Sequence, residues 1–441
     1  MIASGTDVNK AQPDGTTPLH WAAYRVDREL VQTLLKKGAR ADVVNRYGAS
    51  PVAEAARVAN VDLVGMLLEA GADANAANED GQTALMLAAR TGSVAVAELL
   101  VKHGADVNRR ERFKDQTAVM WAAGENRPEM VAFLISKGAD LKIRAASTDW
   151  PTQISNEPRV QYRPTGGLTP LLYAARAGCV DCVKAMLDAG ADPDRPNPDG
   201  MTPMMMALDN GSPAVARYLL DHGASALTWD WWGRTPLYIA VNMRGGLDGR
   251  AGRRSPEALD LIKAMLEAGA NPNAQLAFKE PSRGGRDNRF RDDLLTTGAT
   301  PLLRAAQTFD NEVVKLLVAH GAEVDLPNAS GVTPFMAAAG IGTRTGNSAF
   351  GNGPPENVED LSIETMEILR AAGAVVDARI SDVTSLTARI ARTNTMTDRQ
   401  GQTSLFLAAE LKRTKVVRYL LEHGAQADVK DDMGRTPALG N

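Results

Sequence analysis

Cysteine is the scarcest useful residue in this chain, with two in 441 positions, so no disulfide framework can carry the fold. Histidine occurs five times, and aromatic residues make up 5%. That is sparse for a large globular enzyme and ordinary for an Ala/Leu-rich helical stack. Charge of one sign is also missing: 49 Lys and Arg stand against 53 Asp and Glu, a net charge of −4. Bulk attraction to nucleic acid or to an anionic membrane is thereby excluded. No apolar run reaches about 18 residues, the length that a helix needs to span a bilayer. What is present is 44% hydrophobic content, too much for general disorder, on a chain too long for one compact core.

Self-similarity organises that content. DGTTPLHWAA around Gly15 returns as YGASPVAEAA around Gly48 and DGQTALMLAA around Gly81, a period of 33 residues. Further copies lie at Asp115, Gly167, Gly200, Gly233, Gly298, Gly331 and Gly401. Each is followed by a Gly-Ala tail, from Gly38-Ala39 and Gly71-Ala72 to Gly424-Ala425, which makes ten units. Every letter has a physical use. Thr17 or Thr169 caps a helix, and Pro18 or Pro170 sits at its first position, where a missing N–H costs nothing. Ala22-Ala23 allows close packing, and Val64, Leu67 and Leu68 bury a second helix. Gly71 ends that helix in a left-handed conformation. The Asp80-Gly81 turn makes a hairpin-like finger. One unit cannot bury its own apolar face, so stacking supplies the core.

With its G-x-T-P-L-x-x-A-A block, V-x-x-L-L run and G-A-D-x-N tail, the chain resembles the ankyrin-repeat family over almost its whole length outside the insertions. The resemblance implies an all-α ankyrin-repeat solenoid with hairpin-like fingers and long insertions. It implies a rigid scaffold that recognises a protein through its concave finger and inner-helix surface. Long arrays with inserted loops occur in bacteria, sometimes behind export signals, which points to a bacterial source.

The expected organisation is a partial unit over 1–14, four units over 15–142, and a finger insertion over 143–165. Six units follow over 166–433, with insertions near 242–256, 275–297, 340–361 and 377–399, and a truncated unit over 434–441. The insertions at 143–165, 275–297 and 377–399 lengthen fingers. Those at 242–256 and 340–361 separate inner from outer helices and emerge on the opposite edge. At roughly 10 Å per packed helix, the enlarged fingers wall a groove; tolerated drift of surface loops is the other reading. Both ends look cut, so the chain reads as a fragment or as a gene with a misplaced start.

The five histidines test for catalysis. His103, His222, His320 and His423 each precede a tail glycine, where the helix C-terminus suits them. His20 sits in T-P-L-H, and none has zinc-ligand spacing. There is no GxxxxGK[ST] loop, GxSxG elbow or HExxH. A protein without catalytic residues, metal or cofactor is therefore expected. Cys179 and Cys182 form C-V-D-C at a helix start. They read as small core residues, with a redox pair or structural disulfide as the alternatives. Met204 takes a core position, and Met205 and Met206 read as flexible filling. Arg244, Arg250, Arg253 and Arg254 against Asp248 make a mildly basic insertion, either a rim that steers an acidic partner or a solvated loop.

Three of six tryptophans, Trp229, Trp231 and Trp232, crowd one finger. Large apolar groups there need either a lid or a guest. The expected partner-binding residues are Trp229, Trp231, Trp232, Tyr238, Arg286 and Phe290, in units seven to ten. The expected partner is a protein, bound by a monomer, with no nucleic acid and no membrane span. A small molecule or glycan stacked on the finger aromatics is the alternative. Location reads as cytoplasmic, or periplasmic or secreted if an upstream segment carries a signal peptide.

Overall fold

The computed structural model describes residues 7–148, 165–245, 254–277, 298–340, 357–381 and 399–439. The chain forms two compact units, Met1–Asp149 with Pro164–Pro198, and Trp150–Arg163 with Asp199–Asn441.

Unit 1 holds five helix pairs. They are α1 (Pro18–Tyr24) with α2 (Arg28–Lys36), α3 (Pro51–Arg57) with α4 (Val61–Glu69), and α5 (Ala84–Thr91) with α6 (Val94–Lys102). Then come α7 (Ala118–Gly124) with α8 (Pro128–Ser136), and α9 (Pro170–Ala177) with α10 (Val180–Asp188). The short inner helices α1, α3, α5, α7 and α9 pack side by side in that order, and the outer helices do the same. Unit 2 repeats the plan. Its pairs are α11 (Pro203–Asp209) with α12 (Pro213–Asp221), α13 (Pro236–Gly245) with α14 (Pro256–Glu267), and α15 (Pro301–Gln307) with α16 (Asn311–Ala319). Last are α17 (Pro334–Ala339) with α18 (Val358–Ala371), and α19 (Ser404–Glu410) with α20 (Thr414–Glu422).

The local chemistry of each unit explains the recurrence. Thr169, Thr202, Thr300 and Thr333 are extended residues whose hydroxyls accept the N–H three residues on, and a proline follows each. Outer helices end on a left-handed glycine. At Gly38 (φ +85°) the next N–H, of Ala39, reaches back to Leu34 O at 3.0 Å, and Ala72 does the same to Leu67 at 2.9 Å. Leu63, Val64 and Leu67 are fully buried, each contributing about 1.5–3 kcal/mol.

Two polar ladders join neighbouring units. In the tails, the Asn75 amide donates to Gly104 O (2.8 Å) and accepts from Asp106 N (2.8 Å). Asn9, Asn108 and Asn273 make the same double bridge. In the fingers, Arg46 N donates to Asp14 O, Arg112 N to Asp80 O, and Trp231 N to Asp199 O. Several fingers are stiffened by a polar residue at their start. Asn45, Asn328, Asp230 and Asp431 all accept the N–H groups two and four residues on.

Unit ten departs from the pattern at the first helical position, where Ser404 stands in place of proline. Its hydroxyl is buried without a hydrogen-bond partner, and Thr403 before it is extended (φ −106°, ψ 175°). The matching prolines at 170, 203, 301 and 334 are buried without difficulty. Ser404→Pro is expected to stabilise the C-terminal pair by about 1 kcal/mol, read as slower amide exchange in α19.

The insertions partly become regular structure. Ser147 and Thr148 pair antiparallel with Gly166 and Thr165, forming β1 (Ser147–Thr148) and β2 (Thr165–Gly166) at the root of the first enlarged finger. Residues 242–245 continue α13, and residues 358–361 already belong to α18, so both expected loops are shorter than their spacing implies. The two basic residues described from 242–256 are not a rim. Arg244 is 1% exposed, with Nε 2.8 Å from Asp310 and further bonds to Ser255 O and Glu312. Arg254 donates to the carbonyls of Thr308 and Phe309. These arginines hold the end of one inner helix to the next because a short turn before α16 leaves carbonyls and a buried carboxylate that only long cationic arms reach.

Candidate functional site

Two rows can be followed from block to block, the residue before the Ala-Ala pair (Ala207-Leu208 and Ala240-Val241 in two blocks) and the one three places later. In unit 1 these two rows are open and partly aromatic. Trp21 and Tyr24 of α1 are 44% and 54% exposed and pack edge to face at 6.0 Å. Arg57 of α3 lies over the Tyr24 ring at 5.4 Å and pairs with Glu54 at 2.8 Å. Arg90 of α5 is exposed and lies over the half-buried Trp121 of α7 at 5.6 Å. Arg176 covers the buried Tyr173 ring at 4.7 Å, and Tyr173 accepts from Gln116 at 2.6 Å. Burial pushes the Tyr173 phenol above its ordinary pKa, partly offset by that bond and by Arg176. The result is a row of aromatic rings and stacked guanidiniums across four neighbouring inner helices, continued by α9.

In unit 2 most of these positions are closed, with Met206 half-buried and Glu410 exposed as the exceptions. Ile239, Arg304, Ala337 and Leu407 are buried, and so are Asp209, Asn242 and Gln307. Polar members satisfy one another: Arg304 donates to Asn242 (2.9 Å) and to Gln307 (3.0 Å), and Arg234 reaches both Asp230 and Asp209. The inner-helix surface expected in units seven to ten is therefore largely closed, Glu410 at its end being the exposed member. Trp232 (4% exposed) and Tyr238 (2%) lie in a core cluster with Leu276, Leu303, Val332 and Met336, so they offer no surface to a partner. Trp232 lies at the finger base and Tyr238 in the first turn of α13, and both side chains are buried. Trp229 (70%) and Trp231 (45%) stay on the surface of the finger. Arg286 and Phe290 lie outside the described residues.

Sequence reasoning passed over Trp21, Tyr24, Arg57, Arg90 and Trp121. The signal was in the repeat itself: HWAA at Trp21, MWAA at Trp121 and YAA at Tyr173 put an aromatic at one fixed place, and arginine stands three places beyond that position at Arg57, Arg90 and Arg176.

The histidines are structural. His20 Nδ1 accepts from Thr17 N (3.1 Å), which leaves the proton on Nε2 to bond Ala49 O (3.0 Å) in the next unit. Desolvation holds its pKa below 6.5, consistent with this neutral, doubly bonded ring. His103, His222, His320 and His423 each donate Nδ1–H to the carbonyl four residues back. Cys179 and Cys182 are joined as a disulfide, against the expectation of two free core thiols. Their three-residue spacing brings the side chains together at the start of α10, where Cys179 is also the cap. Among the described residues, no group of three or more His, Cys, Asp and Glu side chains is placed to hold a metal, and no helix is long and apolar enough to cross a membrane.

Stacked helix pairs tied by finger and tail ladders define a class: repeat arrays that present inner helices and fingers as a preformed surface. The chain belongs to the ankyrin-repeat family. The model for ankyrin repeats (3 copies) matches residues 1–78, 54–145 and 171–276, and that for the single ankyrin repeat matches 297–329 and 400–432. Similar curated proteins include the Neurogenic locus Notch protein of Drosophila melanogaster, 34% identical over 117 residues, and human Neurogenic locus notch homolog protein 1, 36% identical over 117 residues. Each match spans 26% of this chain and only 4% of the Notch protein. Human 2-5A-dependent ribonuclease is 36% identical over 87 residues, 20% of this chain and 9% of that enzyme. Among solved structures, the human ASB11 ankyrin repeat domain aligns with 58% of this chain and 100% of its own, at 24% identity and a TM-score of 0.45. Ankyrin repeats are in general protein-interaction modules.

Proposed function

We propose that the chain is a non-catalytic scaffold that holds a protein partner on the inner-helix face of unit 1. The observation behind this reading is the contrast between the two units. Equivalent rows are open and partly aromatic in α1–α7, and buried with their polar groups paired in α13 and α15. The Trp21–Tyr24 edge-to-face pair and the stacked arginines are already held by contacts with one another, which lowers the side-chain entropy lost when a partner docks. Tryptophan, tyrosine and arginine are also the side chains that most often dominate interface energy. Pull-down with the full chain tests it. Trp21→Ala with Trp121→Ala is expected to weaken partner capture by about 30-fold or more, roughly 2 kcal/mol. Trp229→Ala with Trp231→Ala should leave capture unchanged. The reverse result removes the site assignment.

A second reading rests on the finger itself. Trp229 and Trp231 offer exposed rings to a sugar or planar ligand, and a change in tryptophan fluorescence across an oligosaccharide panel supports it. A flat response counts against it.

A further inference from the structure

We infer that the inner-helix face of unit 1 takes an extended acidic peptide with an apolar residue at each end. The inference rests on the scaffold reading above and names the chemistry of the partner. Three packing steps separate α1 from α7, since α1, α3, α5 and α7 are neighbours in that order. Steps of about 8–10 Å put the Trp21–Tyr24 pair roughly 25–30 Å from Trp121. Between them stand Arg57 on α3 and Arg90 on α5, at equivalent places one step apart. Each guanidinium lies over a ring of the adjacent inner helix, at 5.4 Å from Tyr24 and 5.6 Å from Trp121. Stacking fixes the guanidinium plane and uses none of its N–H donors. One Glu54 oxygen takes Nε and Nη2 of Arg57 and leaves its Nη1 side open, whereas Arg90 and Arg176 have no carboxylate partner among the described residues. The face therefore carries oriented donors for carboxylates, a whole fork at Arg90 and the Nη1 side of Arg57, flanked by apolar platforms.

The spacing selects the conformation. A polyproline II strand rises about 3.1 Å per residue with three residues per turn, so every third side chain returns to one side after about 9 Å. That distance equals one inner-helix step. A peptide in this form presents one side chain to each helix: apolar to α1, acidic to α3, acidic to α5, apolar to α7. The recognised pattern is apolar at position one, acidic at four and seven, apolar at ten.

The experiment uses the full chain and fluorescein-labelled ten-residue peptides. The probe has tryptophan at both ends, glutamate at positions four and seven, and proline or serine elsewhere. One control carries glutamine for glutamate, and another moves the glutamates to positions five and six. The in-register peptide is expected to bind at least 10-fold more tightly than either control. Arg90→Gln should abolish that preference, and circular dichroism should show the variant folded. Equal affinity for all three peptides, or binding by none, overturns the acidic register. If the peptides fail while Trp21→Ala with Trp121→Ala still loses its protein partner, the register is wrong and the scaffold reading stands. If both fail, the face is not the site.

Discussion

Replacing Arg244 by methionine is expected to destabilise unit 2 by about 3–5 kcal/mol, measured as loss of amide-exchange protection in α13, α15 and α16. Arg244 is buried, and its guanidinium bonds Asp310, Glu312 and Ser255 O. Methionine fills a similar volume but leaves the buried Asp310 carboxylate facing apolar neighbours without its cation. Breaking one side of a buried pair costs the desolvation of the other, which is why the effect exceeds that of any exposed ion pair here. The comparison with Arg40–Asp42 is direct, because that pair is largely in solvent and is worth about 0–1 kcal/mol. Adding Asp310→Leu to Arg244→Met removes the stranded charge and should recover most of the loss. No recovery in the double variant means that Arg244 acts by packing alone.

Gly48→Val is expected to cost unit 1 about 3 kcal/mol or more, read as a lower urea midpoint for α1–α4. Two independent penalties add. Gly48 has φ +70°, a conformation that costs a β-branched residue about 1–2 kcal/mol. A Cβ at this place also lies 2.5 Å from Asn78 Cα and 2.9 Å from Ala77 O. Those are backbone atoms of the next finger, so no side chain can swing aside. Asn78 helps shape that finger by accepting Gln82 N at 2.8 Å, so displacement passes from one finger to the next. Gly38→Ala is the control: it shares the positive φ but has open space at Cβ, and should lose only about 1 kcal/mol.

Much of this architecture was legible in the residues because each unit states its own turns. Thr169-Pro170 starts a helix by local chemistry, and Gly38-Ala39 ends one by local chemistry. Helix burial follows from the spacing of Val64, Leu67 and Leu68. Arg244 was not legible. Its position in a glycine- and arginine-rich insertion reads as solvent, and only the tertiary placement of Asp310, 66 residues on, makes it a core group. Phe309 misleads in the same way. It is buried at φ +54°, in the turn where Gly92 and Gly178 stand in other units and where Val26, Ala59, Asn126 and Lys412 also take a positive φ, so the turn imposes the conformation whatever the side chain. The binding face divided along similar lines. Trp21 and Trp121 recur at a fixed place, and periodicity exposes them. That Trp232 and Tyr238 turn inward depends on the neighbouring units, which a local pattern does not encode.

Hydroxyl-radical footprinting of the full chain with and without its captured protein partner tests the central claim most directly. Protection of Trp21, Tyr24, Arg57, Arg90 and Trp121, with the outer helices α2, α4, α6 and α8 unchanged, is the predicted result. Protection confined to those outer helices, with Trp21 and Trp121 still fully reactive, would contradict it.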